Sequence, residues 1–222
     1  MKSIQHKIYA LLAITGLLVL VASIFSSAKQ QHSLAQDTVQ DNIKILADNY
    51  FDSVNTMMLT GTMANRGILS DKLQKHPNIK DAHIIRSPIV TKLYGPGNKN
   101  QAPSNEQERL ALQGEELLQV HQQSNTRIMT YLRPMFASSD YKGTNCLACH
   151  QAQEGDVLGV VKISYSLADI DTAVTKNTLI NTLLLSTIFI IAFVLLGIMF
   201  RKLFIVRLKK LGHTMHLATT NK

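Results

Sequence analysis

Apolar and polar positions along this chain change rhythm several times, and each rhythm predicts a different element. Ile8 to Phe25 is an apolar run without a charge, with Lys2 and Lys7 before it and Lys29 after it. Thr178 to Phe200 is a second run without a charge. Each is close to the roughly 20 apolar residues that carry a helix across a bilayer. After the first run, Val39, Ile43, Leu46, Tyr50, Val54, Met57 and Gly61 recur at spacings of three and four. That spacing predicts a long amphipathic helix continuing the first apolar one. Such a stripe is a core face or the seam of a homodimer, and a homodimer is the expected state.

The middle of the chain reads as mixed structure. His83 to Arg86 and Ile89 to Tyr94 predict short strands around Pro88, and Gly95-Pro96-Gly97-Asn98 predicts a turn. Ser104 reads as an N-cap with Gln107 at the third helical position, opening a helix to about His121. Thr126 to Phe136 is rich in β-formers, and Pro134 near its end predicts an edge strand. Val157 to Ser166 alternates through Val161, Ile163 and Tyr165, a half-buried strand. From Leu167 the pattern turns helical and runs into the second apolar run. Helix, strands, helix, strands, helix predicts an α+β domain: an antiparallel sheet with flanking helices, between two transmembrane helices.

Charge fixes the orientation. The formal net charge is +8, yet all 15 acidic residues lie within 26–177, where 15 of the 23 basic residues balance them. The excess sits outside the apolar runs, at Lys2, Lys7, Arg201, Lys202, Arg207, Lys209, Lys210 and Lys222. This is the positive-inside pattern, with both ends cytoplasmic and the central segment on the far side. It excludes a basic nucleic-acid surface. The expected division is a membrane anchor over 1–28, an exported domain over 29–177, a second span over 178–200 and a cytoplasmic juxtamembrane helix over 201–222. Ser26-Ser27-Ala28 resembles a cleavage site, but the apolar core is long for a cleaved signal, so a retained anchor is expected. Val206, Leu208, Leu211, Met215 and Ala218 form a heptad-like stripe in the tail, which also suits a basic helix on anionic lipid.

The two cysteines of the chain fall in one run, Cys146-Leu147-Ala148-Cys149-His150. C-x-x-C-H is the attachment signature of haem c. Two thiols at this spacing can each add to one vinyl group of the same porphyrin, and the adjacent imidazole can ligate the iron. Three other readings compete. A dithiol redox centre expects a βαβ context, which the pattern lacks. A zinc site lacks a second pair of ligands at a matching spacing. A disulfide across so short a loop adds little stability. Met57, Met58 and Met63 cluster where the amphipathic stripe ends, a pattern that suits core filling or an axial thioether. No nucleophile motif, phosphate loop or acid pair marks an active site, so no enzyme is expected.

Arg133-Pro134, the C-x-x-C-H run and Gly155-Asp156-Val157-Leu158-Gly159-Val160 together resemble the haem-c PAS-like periplasmic sensor domains of bacterial chemoreceptors and diguanylate cyclases. The likeness covers roughly 30–177. The tail is similar to the first helix of a HAMP linker, with Arg207 where a proline is usual, and no output domain follows in this sequence. The resemblance implies a PAS-like sheet and one covalent haem c, bound through Cys146 and Cys149 with His150 as proximal ligand. It implies a distal position held by methionine or water. Met63 is the first choice, ahead of Met58 and Met57, with His83 and His121 as alternatives. Arg133 and Arg86 are the candidates for pairing with the haem propionates. The implied function is a sensor in the bacterial inner membrane, detecting redox state or a small gaseous ligand in the periplasm and passing the change to a cytoplasmic signalling partner. The alternative is a membrane-tethered c-type cytochrome serving a redox partner.

The charge map has a direct test. An alkaline phosphatase fusion after Lys176 is expected to be active and one after Lys222 inactive; the reverse pattern would remove the export on which haem attachment depends.

Overall fold

A computed structural model describes residues 2–205, and it divides into two compact units, Met1–Leu34 with Ala173–Lys222, and Ala35–Thr172. The expected tail stripe and Arg207 lie outside the described residues.

The first unit holds two apolar helical stretches. One belongs to α1 (Lys2–Leu59), the other to α5 (Ala168–Phe200). Both helices are long and apolar enough to cross a membrane. Their apolar side chains point outward, with Phe25 72% and Leu183 61% exposed. Lipid solvates such a surface far better than water does, which marks a membrane protein. The two stretches touch where side chains are small. A Cβ on Gly16 would lie 2.7 Å from the Phe189 ring. Close approach at a small residue is how helices associate when lipid removes the hydrophobic drive. The Tyr9 hydroxyl donates to the Gly197 carbonyl at 3.4 Å, and its ring meets Phe200 edge-on.

The second unit is built on a four-stranded antiparallel sheet, order β1-β4-β3-β2, from β1 (Ile79–Arg86), β2 (Leu117–Gln123), β3 (Thr126–Phe136) and β4 (Val157–Ser166). With the helices this is an α+β fold. The period-two alternation gives the sheet two apolar faces. Met129, Tyr131, Met135, Val161 and Ile163 pack against Val39, Ile43, Ala47, Tyr50, Phe51 and Val54 of α1. The amphipathic stripe is therefore a core face of this domain. Ala47 is fully buried, and its small side chain lets the helix backbone sit close to the sheet. Each large apolar side chain taken from water here contributes about 1.5–3 kcal/mol. On the other face, Ile85, Leu132 and Val160 pack with Ala111 of α4 (Glu106–Leu112).

Three elements differ from the sequence expectation. Residues 89–94 form a helix, α3 (Pro88–Tyr94), because Ser87 caps it by accepting from the Val90 N–H and Pro88 sits at its first position. The helix expected to run to His121 stops at Leu112, capped by Asn105 rather than Ser104. Residues 117–123 are instead the edge strand β2, joined to β3 by Ser124 and Asn125, both with positive φ. That two-residue turn matches the twist of a hairpin. Pro134 lies in a central strand, not an edge strand. The β2 pairing ends at Leu132, however, so beyond it β3 has a partner only in β4, and a missing N–H is tolerated. A further helix, α2 (Arg66–Gln74), had no clear signal in the pattern.

A buried ion network sits on the α4 face. Lys162 Nζ donates to Glu108 Oε1 at 2.8 Å and lies 3.4 Å from Asp81 Oδ2. The Ser104 N–H and hydroxyl donate to Glu108 Oε2. Burial pushes both carboxyl groups up, but the bonds from Lys162, with those from Ser104 to Glu108 and from His83 to Asp81, outweigh it and hold both below their ordinary range. Their contribution is therefore fully present above the unfolded carboxyl range, about pH 4, and lost as pH falls below it through the lower folded values. Full-length protein in detergent is expected to lose thermal stability over that window. Lys162→Met is expected to cost about 3–5 kcal/mol by leaving the buried Glu108 carboxylate without its cation. Adding Glu108→Gln should recover part of that loss; a neutral Lys162→Met would show the network to be idle.

Candidate functional site

One cavity in the second unit gathers most of the chemistry named by the sequence. It has a volume of about 750 Å³ and is lined by Cys146, Cys149 and His150 together with Met58, Met63, His83, Arg66 and Arg86. Its size falls in the range, about 300–1,000 Å³, typical of sites for small organic ligands and cofactors.

The Cys-bearing loop is shaped by local hydrogen bonds. Tyr141 and Thr144 exchange backbone bonds at 2.8 Å across a tight turn whose central residues, Lys142 and Gly143, have φ of 47° and 83°. Gly143 accepts that conformation freely; Lys142 does so at a cost. Asn145 then caps a short 3-10 turn, Cys146–Ala148, its side chain accepting from the Leu147 N–H. The Cys149 and His150 N–H groups both donate to the Cys146 carbonyl. The two cysteines are free thiols, Cys146 buried and Cys149 exposed.

α1 clamps this loop from the side. Asp52 accepts from the Tyr141 hydroxyl at 2.9 Å and from Lys142 Nζ at 2.6 Å. Phe51 meets the Tyr141 ring edge-on, and Asn55 donates to the Thr144 hydroxyl at 3.0 Å in a buried bond. α3 holds it from the other side. The Tyr94 hydroxyl donates to the Cys149 carbonyl at 2.5 Å, and its ring lies edge-on to the His150 imidazole at 5.5 Å.

The site residues expected from the sequence divide. Cys146, Cys149, His150, Met63 and Arg86 share the cavity, as do Met58 and His83, whereas Met57 does not line it. His83 Nδ1 is bonded to Asp81. His121 lies exposed on β2, away from this cavity. Arg133 is also absent from the cavity wall: β3 alternation puts it on the α1 face, where it ion-pairs with Asp48. Asp52, Asn55, Tyr94 and Arg66 were not read as site residues. Tyr94 was hidden by reading 89–94 as a strand, although Ser87-Pro88 carried the helix signal. Nothing in the pattern marked Arg66.

The residues fit a haem c. His150 Nδ1 is buried without a hydrogen-bond partner. Burial also lowers the imidazole pKa, favouring the neutral form that binds metals. Two free thiols and this imidazole line one mostly apolar cavity. Among the described residues no three His, Cys, Asp or Glu side chains converge on a metal position. The chain matches no protein-family model and no curated protein.

The clamp has measurable consequences. Asn55→Ala leaves the Thr144 hydroxyl without its buried partner and is expected to destabilise the domain by about 1–3 kcal/mol. Tyr94→Phe is expected to speed amide hydrogen exchange over 145–150 and alkylation of Cys149, with exchange in the sheet unchanged. Unchanged loop exchange would show that the Tyr94 hydroxyl does not hold the turn.

Proposed function

We propose that this chain is a membrane-bound haem-c sensor of the bacterial inner membrane, with the 35–172 unit in the periplasm. The observation that carries the reading is the meeting of Cys146, Cys149 and His150 on the wall of one cavity with Met58, Met63 and Met135. The charge asymmetry outside the two apolar helices supports export of the domain. A four-stranded antiparallel sheet with a long helix across one face is compatible with the PAS-like fold that the resemblance implies.

On this reading Cys146 and Cys149 would hold the cofactor covalently and His150 would bind its iron, while Met63 and Met58 on the cavity wall are the candidates for a further ligand. Haem c, when bound, supplies an iron that changes redox state or takes a small ligand. The protein contributes an apolar wall that excludes water and a neutral imidazole. The α1 clamp at Asp52 and Asn55 ties the loop to a helix that is continuous from Lys2 to Leu59. A displacement of the loop therefore acts on that helix, and bistable packing of such helices is a known form of output. A homodimer and a cytoplasmic signalling partner complete the reading.

A second reading, electron transfer, rests on the exposed Cys149 side of the site, which a redox partner can approach. Protein made with haem-maturation machinery is expected to keep its haem through acid–acetone extraction, to give a c-type pyridine haemochrome and to bind CO. Cys146→Ser with Cys149→Ser is expected to abolish covalent haem; retention would end both readings. A six-coordinate haem inert to CO would favour electron transfer. Loss of the far-red His/Met band in Met63→Ala, but not in Met58→Ala, identifies Met63 as the distal ligand.

A further inference from the structure

Two of the arginines in this domain differ from the others. Arg109, Arg127 and Arg133 each pair with a carboxylate, at Glu106, Asp171 and Asp48. Arg66 and Arg86 both line the cavity, both are half-buried, and among the described residues neither forms an ion pair. Asp71, a carboxylate on the same wall, is paired with neither.

Each guanidinium is held in place while keeping donors free. Arg66, at the start of α2, gives one nitrogen to the Met63 carbonyl at 3.1 Å. Arg86, at the end of β1, gives one nitrogen to the Gly95 carbonyl at 2.7 Å and the Tyr94 carbonyl at 3.4 Å. The 95–97 backbone packs directly on Arg86: a Cβ on Gly97 would come within 2.9 Å of its guanidinium, and φ there is +70°. Burial, and then the charge of Arg66, lower the Arg86 pKa, which reports two like charges close enough to feel each other. Two preorganised cations without a counter-ion on one cavity wall are a cost that an anion removes.

We infer that Arg66 and Arg86 form the anion-binding end of the cavity and receive the two carboxylates of a porphyrin attached at Cys146 and Cys149. The inference rests on the haem-c reading and assigns to Arg66, beside Arg86, the role that the resemblance led one to expect of Arg133. The shared chemistry is a pair of oxyanions, so a free phosphate is the competing source.

The test uses full-length protein in detergent, made without maturation machinery, titrated with ferric protoporphyrin and with its dimethyl ester. Wild type is expected to bind the ester about 10- to 100-fold more weakly, the scale of losing charge-assisted hydrogen bonds. Arg66→Gln with Arg86→Gln should erase that preference, and Arg66→Lys should keep part of it. A preference for the free acid over the ester that is absent in wild type, or unchanged in the double variant, overturns the inference. Inorganic phosphate is the second arm: arginine-dependent thermal stabilisation by phosphate, without any preference for the free porphyrin acid, also overturns it. The pyridine haemochrome of matured protein separates the two levels. A c-type signal with no arginine effect sinks only this inference, whereas no signal sinks the haem-c reading beneath it.

Discussion

The seating of α1 on the sheet is the constraint on which the rest of the domain depends. Val39, Ile43, Ala47, Tyr50, Phe51 and Val54 set the height and rotation of the helix over β3 and β4. That rotation turns Asp52 and Asn55 toward the 141–144 turn and brings Met58 to the cavity. A charge introduced within the stripe, as in Ile43→Asp, would therefore do more than weaken the core. It would remove one wall of the cavity and the anchors of the Cys-bearing loop together.

The cavity combines two kinds of surface. Phe51, Val54, Met58, Ile84 and Met135 give it an apolar floor, while Arg66 and Arg86 give it a cationic edge. A flat, mostly apolar cofactor with a charged margin matches that division. The thiols and the imidazole lie together on one short loop, so on the proposed reading attachment and ligation would share one support. The hydrogen bonds to the Cys146 and Cys149 carbonyls make that support a matter of backbone geometry, independent of the side chains at 147 and 148.

Much of the fold was legible because it rests on periodicity. The ranges Thr126–Phe136 and Val157–Ser166 coincide with β3 and β4. The stripe from Val39 to Val54 marked the buried face of α1, with Ala47 rather than Leu46 at its centre. What stayed hidden was set by capping and by tertiary context. Ser87-Pro88 turns a β-rich segment into a helix, and the positive φ of Ser124 and Asn125 makes a hairpin out of residues that pattern alone joined to a helix. The site shows the same division. Cys146, Cys149 and His150 are contiguous, so their motif is local; Arg66 and Tyr94 reach the cavity from separate helices, and no spacing rule connects them to it. Arg133 looked equally suited, but one strand position decides which face a side chain takes.

Lys142 has a dynamic consequence. A lysine with φ of 47° occupies a region that non-glycine residues enter at a cost of order 1–3 kcal/mol. Its exposed ammonium on Asp52 helps to offset that cost only while α1 keeps its seat. The strain at Lys142 is thus set against the ion pair with Asp52 and the buried Asn55–Thr144 bond, both of which come from α1. Salt screens this exposed ammonium–carboxylate pair and so weakens its part in holding the corner. The chain has set a weak latch, rather than a rigid joint, between its longest helix and its two thiols.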